Sequence, residues 1–300
     1  MIMPLPTYAT PIQRTYYYAY LFFCGVVFFF LVAPLIAIVP ISFSVSPFMV
    51  FTEGMLAWPP DPEAWSLRWY RNMIGDCSAD VVSSTVPCST KWMKGTVNSF
   101  YIGIIATVIA TVLGTMAALG LSRPHMPYKA LIMSILISPM IVPLIITAAG
   151  MFFFYARINL VYTFTGVILA HVALATPFVV ITVTATLVGF DMNMVKAAQS
   201  LGAKPMRTFF KVIMPLILPG IISGALFAFI TSFDEVVIVM FMASIDQLTI
   251  PKQMWAGIRQ EISPVILCMA TCLVILSIVL LTTVELLRRR AERLRGIKAR

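Results

Sequence analysis

Charge is what this sequence has least of. Asp, Glu, Lys and Arg make up 11% of its 300 residues, whereas hydrophobic residues make up 60%, with a mean hydropathy of +0.95. A soluble domain is about 25% charged. This chain therefore cannot cover a water-facing surface. Folded in water it would expose apolar patches far beyond the roughly few hundred Å² that soluble monomers tolerate. A soluble enzyme, a disordered protein and a nucleic-acid binder are poor readings on that ground. Histidine is nearly missing too: His125 and His171 are the only two. Ser-His-Asp and metalloprotease patterns are absent, so no catalytic set, metal site or cofactor is expected. No G-x-x-x-x-G-K-[ST] loop occurs, so ATP is not bound by that route.

What the chain does have is long apolar runs. A hydrocarbon core of about 30 Å needs about 20 such residues in a helix. Six runs qualify, over about 20–43, 96–121, 130–152, 165–188, 216–240 and 264–287. Backbone groups in lipid must bond internally, so these read as helices; a membrane β-barrel would show short alternating segments instead. The expected fold is all-α and polytopic. It has a cytoplasmic N-terminus at 1–19, a transmembrane domain at 20–287 and a basic cytoplasmic tail at 288–300. The first run is too long for a signal peptide and no clear cleavage site follows it, so it is kept as a span. Proline at 34, 40, 139, 143 and 177 predicts kinks, because each removes a backbone donor. Ala106, Ala110, Gly114 and Ala118 form a stripe of small residues that admits a close helix neighbour.

The net charge of +9 makes sense only by position. With the N-terminus in the cytoplasm, fourteen Lys and Arg fall on inner segments and seven on outer ones. That imbalance puts both termini inside. The Arg288-Arg289-Arg290 run reads as a stop signal and lipid-headgroup anchor rather than a nucleic-acid patch. Arg288 and Arg289 follow Glu285 at helical spacing, which suggests a local ion pair.

The sizeable outer loop covers about 44–95. Its Trp58-Pro59-Pro60-Asp61-Pro62 cluster implies a stiff turn. Trp65, Trp69 and Tyr70 suit either a membrane–water interface or an external partner. Cys77 and Cys88 lie in the same loop. In an oxidising compartment they form a candidate disulfide, with two unpaired thiols as the alternative. Cys24, Cys268 and Cys272 fall in spans and read as small apolar groups. His171, in the fourth span, reads as a packing or hydrogen-bonding residue.

The inner loop at 189–215 carries the most information. Asp191 or Asn193 is a plausible cap. A short helix through Lys196, Ala197, Ala198, Gln199, Ser200 and Leu201 follows. Gly202 is placed to end it in the left-handed region. After Ala203, the Lys204-Pro205 pair opens a second helix with proline in its first turn. Two short helices meeting at a glycine make a knob suited to a groove on a partner. With Ala197-Ala198, Gly202 and the closing Ile213-Met214-Pro215, this stretch resembles the coupling motif of binding-protein-dependent ABC importer permeases of the MetI-like family. Its usual acidic first residue is replaced by Lys196, so a salt bridge from that position is not carried over.

The resemblance runs from the first span to about Arg288. Ser66-Leu67-Arg68-Trp69-Tyr70, Ser232-Phe233-Asp234-Glu235-Val236-Val237 and 248–255 look like the spermidine/putrescine subgroup. The resemblance implies a six-span MetI-like permease of a bacterial inner membrane, paired with a similar permease. Two ATP-binding subunits would dock on the knobs, with residues 196–205 as the coupling segment, and a periplasmic solute-binding protein would deliver substrate.

Asp234 and Glu235 are adjacent acids in an apolar run, where Asp costs roughly 2.5–3.5 kcal/mol at a span centre. Counted along a continuous fifth helix, Asp234 lies about 27 Å from Leu216, in the outer half. Two readings stand: acids lining a cation pathway, or a structural ion pair or solvated helix end. The competing functions are an ABC permease for another small organic solute or cation and a motor-independent secondary transporter. The latter should show internal repeats, and no convincing one is visible.

Overall fold

The computed structural model describes residues 8, 10–76, 78, 81, 90–123, 125–191, 193–260 and 263–294. Among these, every regular element is helical, with one isolated bridge between Ser44 and Trp65. The chain forms two compact units. One comprises Met1–Cys88 with Ile262–Leu276, the other Ser89–Glu261 with Ser277–Arg300.

The first unit opens with α1 (Pro11–Ile41). A reciprocal cap starts it: Thr10 Oγ1 accepts the Gln13 N–H, and Gln13 Oε1 accepts the Thr10 N–H. Pro11 fits the first turn, where no intrahelical donor is needed. The helix begins well before the expected residue 20 because this cap and the tyrosine-rich turns after it are themselves helix-compatible. None of its residues is buried, as suits a lipid-facing surface.

Beyond Ile41 the long loop folds on itself. It carries α2 (Glu53–Leu56), a 3₁₀ turn at Pro62–Ala64 and α3 (Arg68–Met73). The Val45 N–H donates to Ala64 O and the Ser66 N–H to Phe43 O, closing the loop beside the helix end. Trp69 sits at 1% exposure and its indole N–H donates to Ser44 O at 2.8 Å. The interfacial or partner-facing role expected for Trp69 is thus corrected. A satisfied indole donor allows the ring to be core. Tyr70 shares a 2.7 Å hydrogen bond with Ser42, and Cys268 donates to Ser42 O. Arg71 pairs with Asp76 at 2.7 Å and donates to Ser78. The Ser78 hydroxyl and N–H, then Arg71, hold the Asp76 carboxyl below the usual range. Cys77 and Cys88 lie outside the described residues.

The second unit is built on α4 (Lys91–Leu121), α7 (Phe164–Val188) and α10 (Met214–Phe233), which pack on one another. Between them lie α5 (Lys129–Ile141), α6 (Leu144–Arg157), α8 (Asn193–Ser200) and α9 (Pro205–Thr208). After α10 come α11 (Val237–Met242), α12 (Ile250–Gln260) and α13 (Val265–Leu294), whose first turns belong to the first unit.

The stripe Ala106, Ala110, Gly114 and Ala118 is buried. A Cβ on Gly114 would stand 2.7 Å from Val179 Cβ, and one on Gly224 would stand 3.0 Å from Val179 Cα. Val179 is therefore gripped between two glycines, which lets α4 and α10 close on α7.

Among the described residues, five helices are long and apolar enough to cross a membrane: Pro11–Ile41, Lys91–Leu121, Phe164–Val188, Pro205–Phe233 and Val265–Thr283. The α5–α6 pair makes a sixth if its two arms are one span. The expected third span is not a kinked rod. Its arms meet at 101°. Val142, before Pro143, takes an extended conformation (ψ 134°), because the proline ring clashes with a helical predecessor.

Candidate functional site

Two places in the second unit collect the residues that the sequence singled out. The first is the knob. The Asp191 carboxylate accepts the Asn193 N–H at 2.9 Å and starts α8. The helix ends in a Schellman arrangement: Gly202 N–H donates to Gln199 O and Ala203 N–H to Ala198 O. Gly202 has φ +80°, a region glycine enters without a Cβ penalty. Lys204 is extended and Pro205 begins α9. Here the structure departs from the two-short-helix expectation. A π-helical turn at Phe209–Ile213 runs straight into α10, so the second arm of the knob is the N-terminal end of the fifth span. Lys196, Ala197, Gln199, Ser200, Leu201, Gly202, Lys204 and Pro205 are exposed, while Ala198 and Ala203 are half-buried.

The second place is the other end of the same span. The continuous fifth helix expected through residue 240 stops at Phe233, with Asp234 as its C-cap. Hydropathy cannot see this stop, since Val236–Met242 is as apolar as the helix before it. Asp234 and Glu235 therefore do not sit on successive helical positions. Asp234 is exposed and Glu235 is buried at 6% exposure. The Glu235 carboxylate accepts the Ile238 N–H at 2.8 Å, which satisfies a donor in the first turn of α11. Both acids line a 360 Å³ cavity with Leu144, Ile230, Thr231, Val236 and Val237. Leu144 is the first residue after the break in the third span.

Sequence reasoning missed the far end of α11. The Lys252 ammonium donates to Ala243 O at 2.8 Å and to Val239 O at 3.3 Å. Partial burial pulls this lysine below its usual range. The six-residue α11 is thus held by an acid at its start and a base at its end, both favourable to the helix dipole. The only hint was a lysine directly after Pro251, in a segment that also carries Asp246 and Arg259.

Beside the acids, Phe229 and Phe233 of α10 form an aromatic trio with Phe100 of α4, with ring centroids 5.1–6.3 Å apart. His171 is buried, and its Nδ1 shares a 2.8 Å hydrogen bond with Ser232 Oγ. That is the packing and hydrogen-bonding role read for it. Outside the cavity, Asn98 donates to Asp246 O and Leu248 O, and Ser99 Oγ accepts the Ile250 N–H. These bonds fasten the segment before α12 to α4.

Apolar helices long enough to cross a membrane, with an exposed knob at one end of the fifth span and an acidic cavity at its other end, define a membrane permease. The family described as "Binding-protein-dependent transport system inner membrane component" matches residues 110–293, more than half of the chain, and the chain belongs to it. It is a multi-pass inner-membrane permease component of an ABC importer.

The spermidine/putrescine transport system permease protein PotC of Haemophilus influenzae is 26% identical over 268 residues, covering 89% of this chain and 95% of that protein. The putrescine transport system permease protein PotI of Escherichia coli K12 is 29% identical over 251 residues, 81% of each chain. Among solved structures, a bacterial ABC transporter involved in the import of the acidic polysaccharide alginate shares the fold at a TM-score of 0.72. It is 14% identical and the match covers 94% of this chain and 99% of that one. The MetNI methionine ABC transporter matches at 0.52 with 19% identity, over 66% and 95%.

Proposed function

We propose that this permease carries polyamines, small organic polycations of the spermidine and putrescine kind. The supporting observation is the acidic end of the fifth span. Asp234 is exposed on the cavity and Glu235 sits in its wall. The cavity's volume of 360 Å³ falls in the roughly 300–1,000 Å³ range of small-molecule sites. An ionised carboxylate there attracts ammonium groups and repels anions. The likeness to PotC and PotI over most of the chain supports the same substrate class.

The mechanism is alternating access. This chain breaks no covalent bond, and ATP hydrolysis belongs to partner subunits. Two ATP-binding subunits dock on the knobs of this chain and of a companion permease, through residues 196–205. Their closure draws the knobs together and the spans rock, which opens the cavity outward to a periplasmic solute-binding protein. Hydrolysis resets the spans. Both termini lie in the cytoplasm, a placement that the excess of Lys and Arg on the inner segments supports.

The test is uptake by the reconstituted importer, with spermidine, putrescine and neutral amino acids in competition. The polyamines should compete and the neutral amino acids should not. Asp234→Asn should raise KM for the cation about tenfold, equivalent to about 1.4 kcal/mol. Equal competition by uncharged solutes, or unchanged kinetics in the variant, would overturn the reading.

A further inference from the structure

The knob's surface also describes the surface it fits. Between Val188 and Pro215 the chain has four bases, Lys196, Lys204, Arg207 and Lys211, and a single acid, Asp191. All four bases are exposed. Asp191 is already engaged by the Asn193 N–H. Among the bases stand apolar side chains that a water-facing loop does not need: Leu201 at 88% exposure, Met206 at 68% and Phe210 at 56%.

The height of the knob decides what covers them. The twenty residues of α10 span about 30 Å, the full hydrocarbon core. Pro205–Ile213 continue the same rod by more than two turns, roughly 10 Å or more, which clears a headgroup layer of about 5–8 Å. Leu201 and Gly202, just before Pro205 in the chain, adjoin the end of that extension. A leucine held almost bare in water at the tip of a glycine turn needs a protein slot, not a bilayer.

We propose that the slot on the ATP-binding subunit that receives this knob has an apolar floor for Leu201 and Met206 and an acidic rim facing Lys196, Lys204 and Arg207. This rests on the reading of the knob as the docking element. Opposite charges at the rim speed association and reject a subunit whose rim is basic, since facing like charges is costly. The knob therefore selects among ATP-binding subunits as well as transmitting their motion.

The test measures binding of the purified ATP-binding subunit to the assembled permease in nanodiscs of zwitterionic lipid, between about 50 and about 500 mM KCl, where screening differs several-fold in length. Wild-type affinity should fall steeply with salt. The Lys196→Glu/Arg207→Glu double variant should bind about tenfold or more weakly at low salt and lose most of the salt dependence. Leu201→Ala should weaken binding and keep the salt dependence. Arg123→Glu, in the neighbouring inner loop, should bind like wild type. Salt-independent binding with a wild-type double variant, while Leu201→Ala is still weakened, would overturn the acidic rim and leave the docking reading standing. Wild-type affinity in Leu201→Ala and Leu201→Asp as well would remove the docking reading too. Binding that requires anionic lipid would mean that the membrane, not a protein slot, receives the bases, and would overturn the proposal.

Discussion

Gly114 and Gly202 are the same residue put to opposite uses. Gly114 lies inside α4, where a Cβ would stand 2.7 Å from Val179. Gly202 caps the knob, where a Cβ would meet nothing within 4 Å but the backbone has φ +80°. The first glycine is required by its neighbours and the second by its own dihedral angles. The contrast separates two regions of the molecule. The α4–α7–α10 core is closed by contacts it makes with itself. The knob is internally bonded yet leaves its outer surface unclaimed, which is how a docking element differs from a core.

That contrast can be broken experimentally. Gly114→Leu should have the largest effect. Overpacking of this kind costs about 1–3 kcal/mol or more, so the variant should fail to give a monodisperse permease by size exclusion in detergent. Normal assembly would show that the α4–α7 contact is slack.

Gly202→Leu should sharpen the contrast. A left-handed non-glycine residue costs about 1–2 kcal/mol, spent in the knob rather than the core. Insertion should be intact, while uptake and ATPase stimulation are lost. If both activities survive, the knob is not the docking element.

Glu235 gives the smallest effect, in a pair of variants. Glu235→Gln keeps an acceptor for the Ile238 N–H and should retain near-normal thermal stability. Glu235→Ala leaves that donor without its partner and should cost about 1–2 kcal/mol, as lost helix caps do. Equal melting temperatures for the two would show that the hydrogen bond does not hold α11.

The spans were legible because hydropathy and the lack of charge report burial in lipid directly. The Phe164–Val188 helix begins within a residue of its expected start and ends where expected. The knob was legible for a different reason. Its cap, glycine and proline are local signals, and each took its expected conformation at Asp191, Gly202 and Pro205. Events decided by a single dihedral angle were harder to read. Pro143 was expected to kink the third span, but only the extended Val142 turns a kink into a 101° break. The stop at Asp234 leaves no trace in hydropathy, because apolar residues continue on both sides. Trp69 was misread for a third reason. Its depth depends on an acceptor twenty-five residues away, Ser44 O, and sequence proximity gives no sign of that pair.

The π turn at Phe209–Ile213 has a bearing on how this rod can vary. Such a turn holds one residue more than the α-helical register requires. It behaves as a spacer collar: a residue dropped there is absorbed locally, and the twenty positions beyond keep their facing. Relatives that differ by one residue at the collar should therefore still present the same side chains to the cavity at its far end.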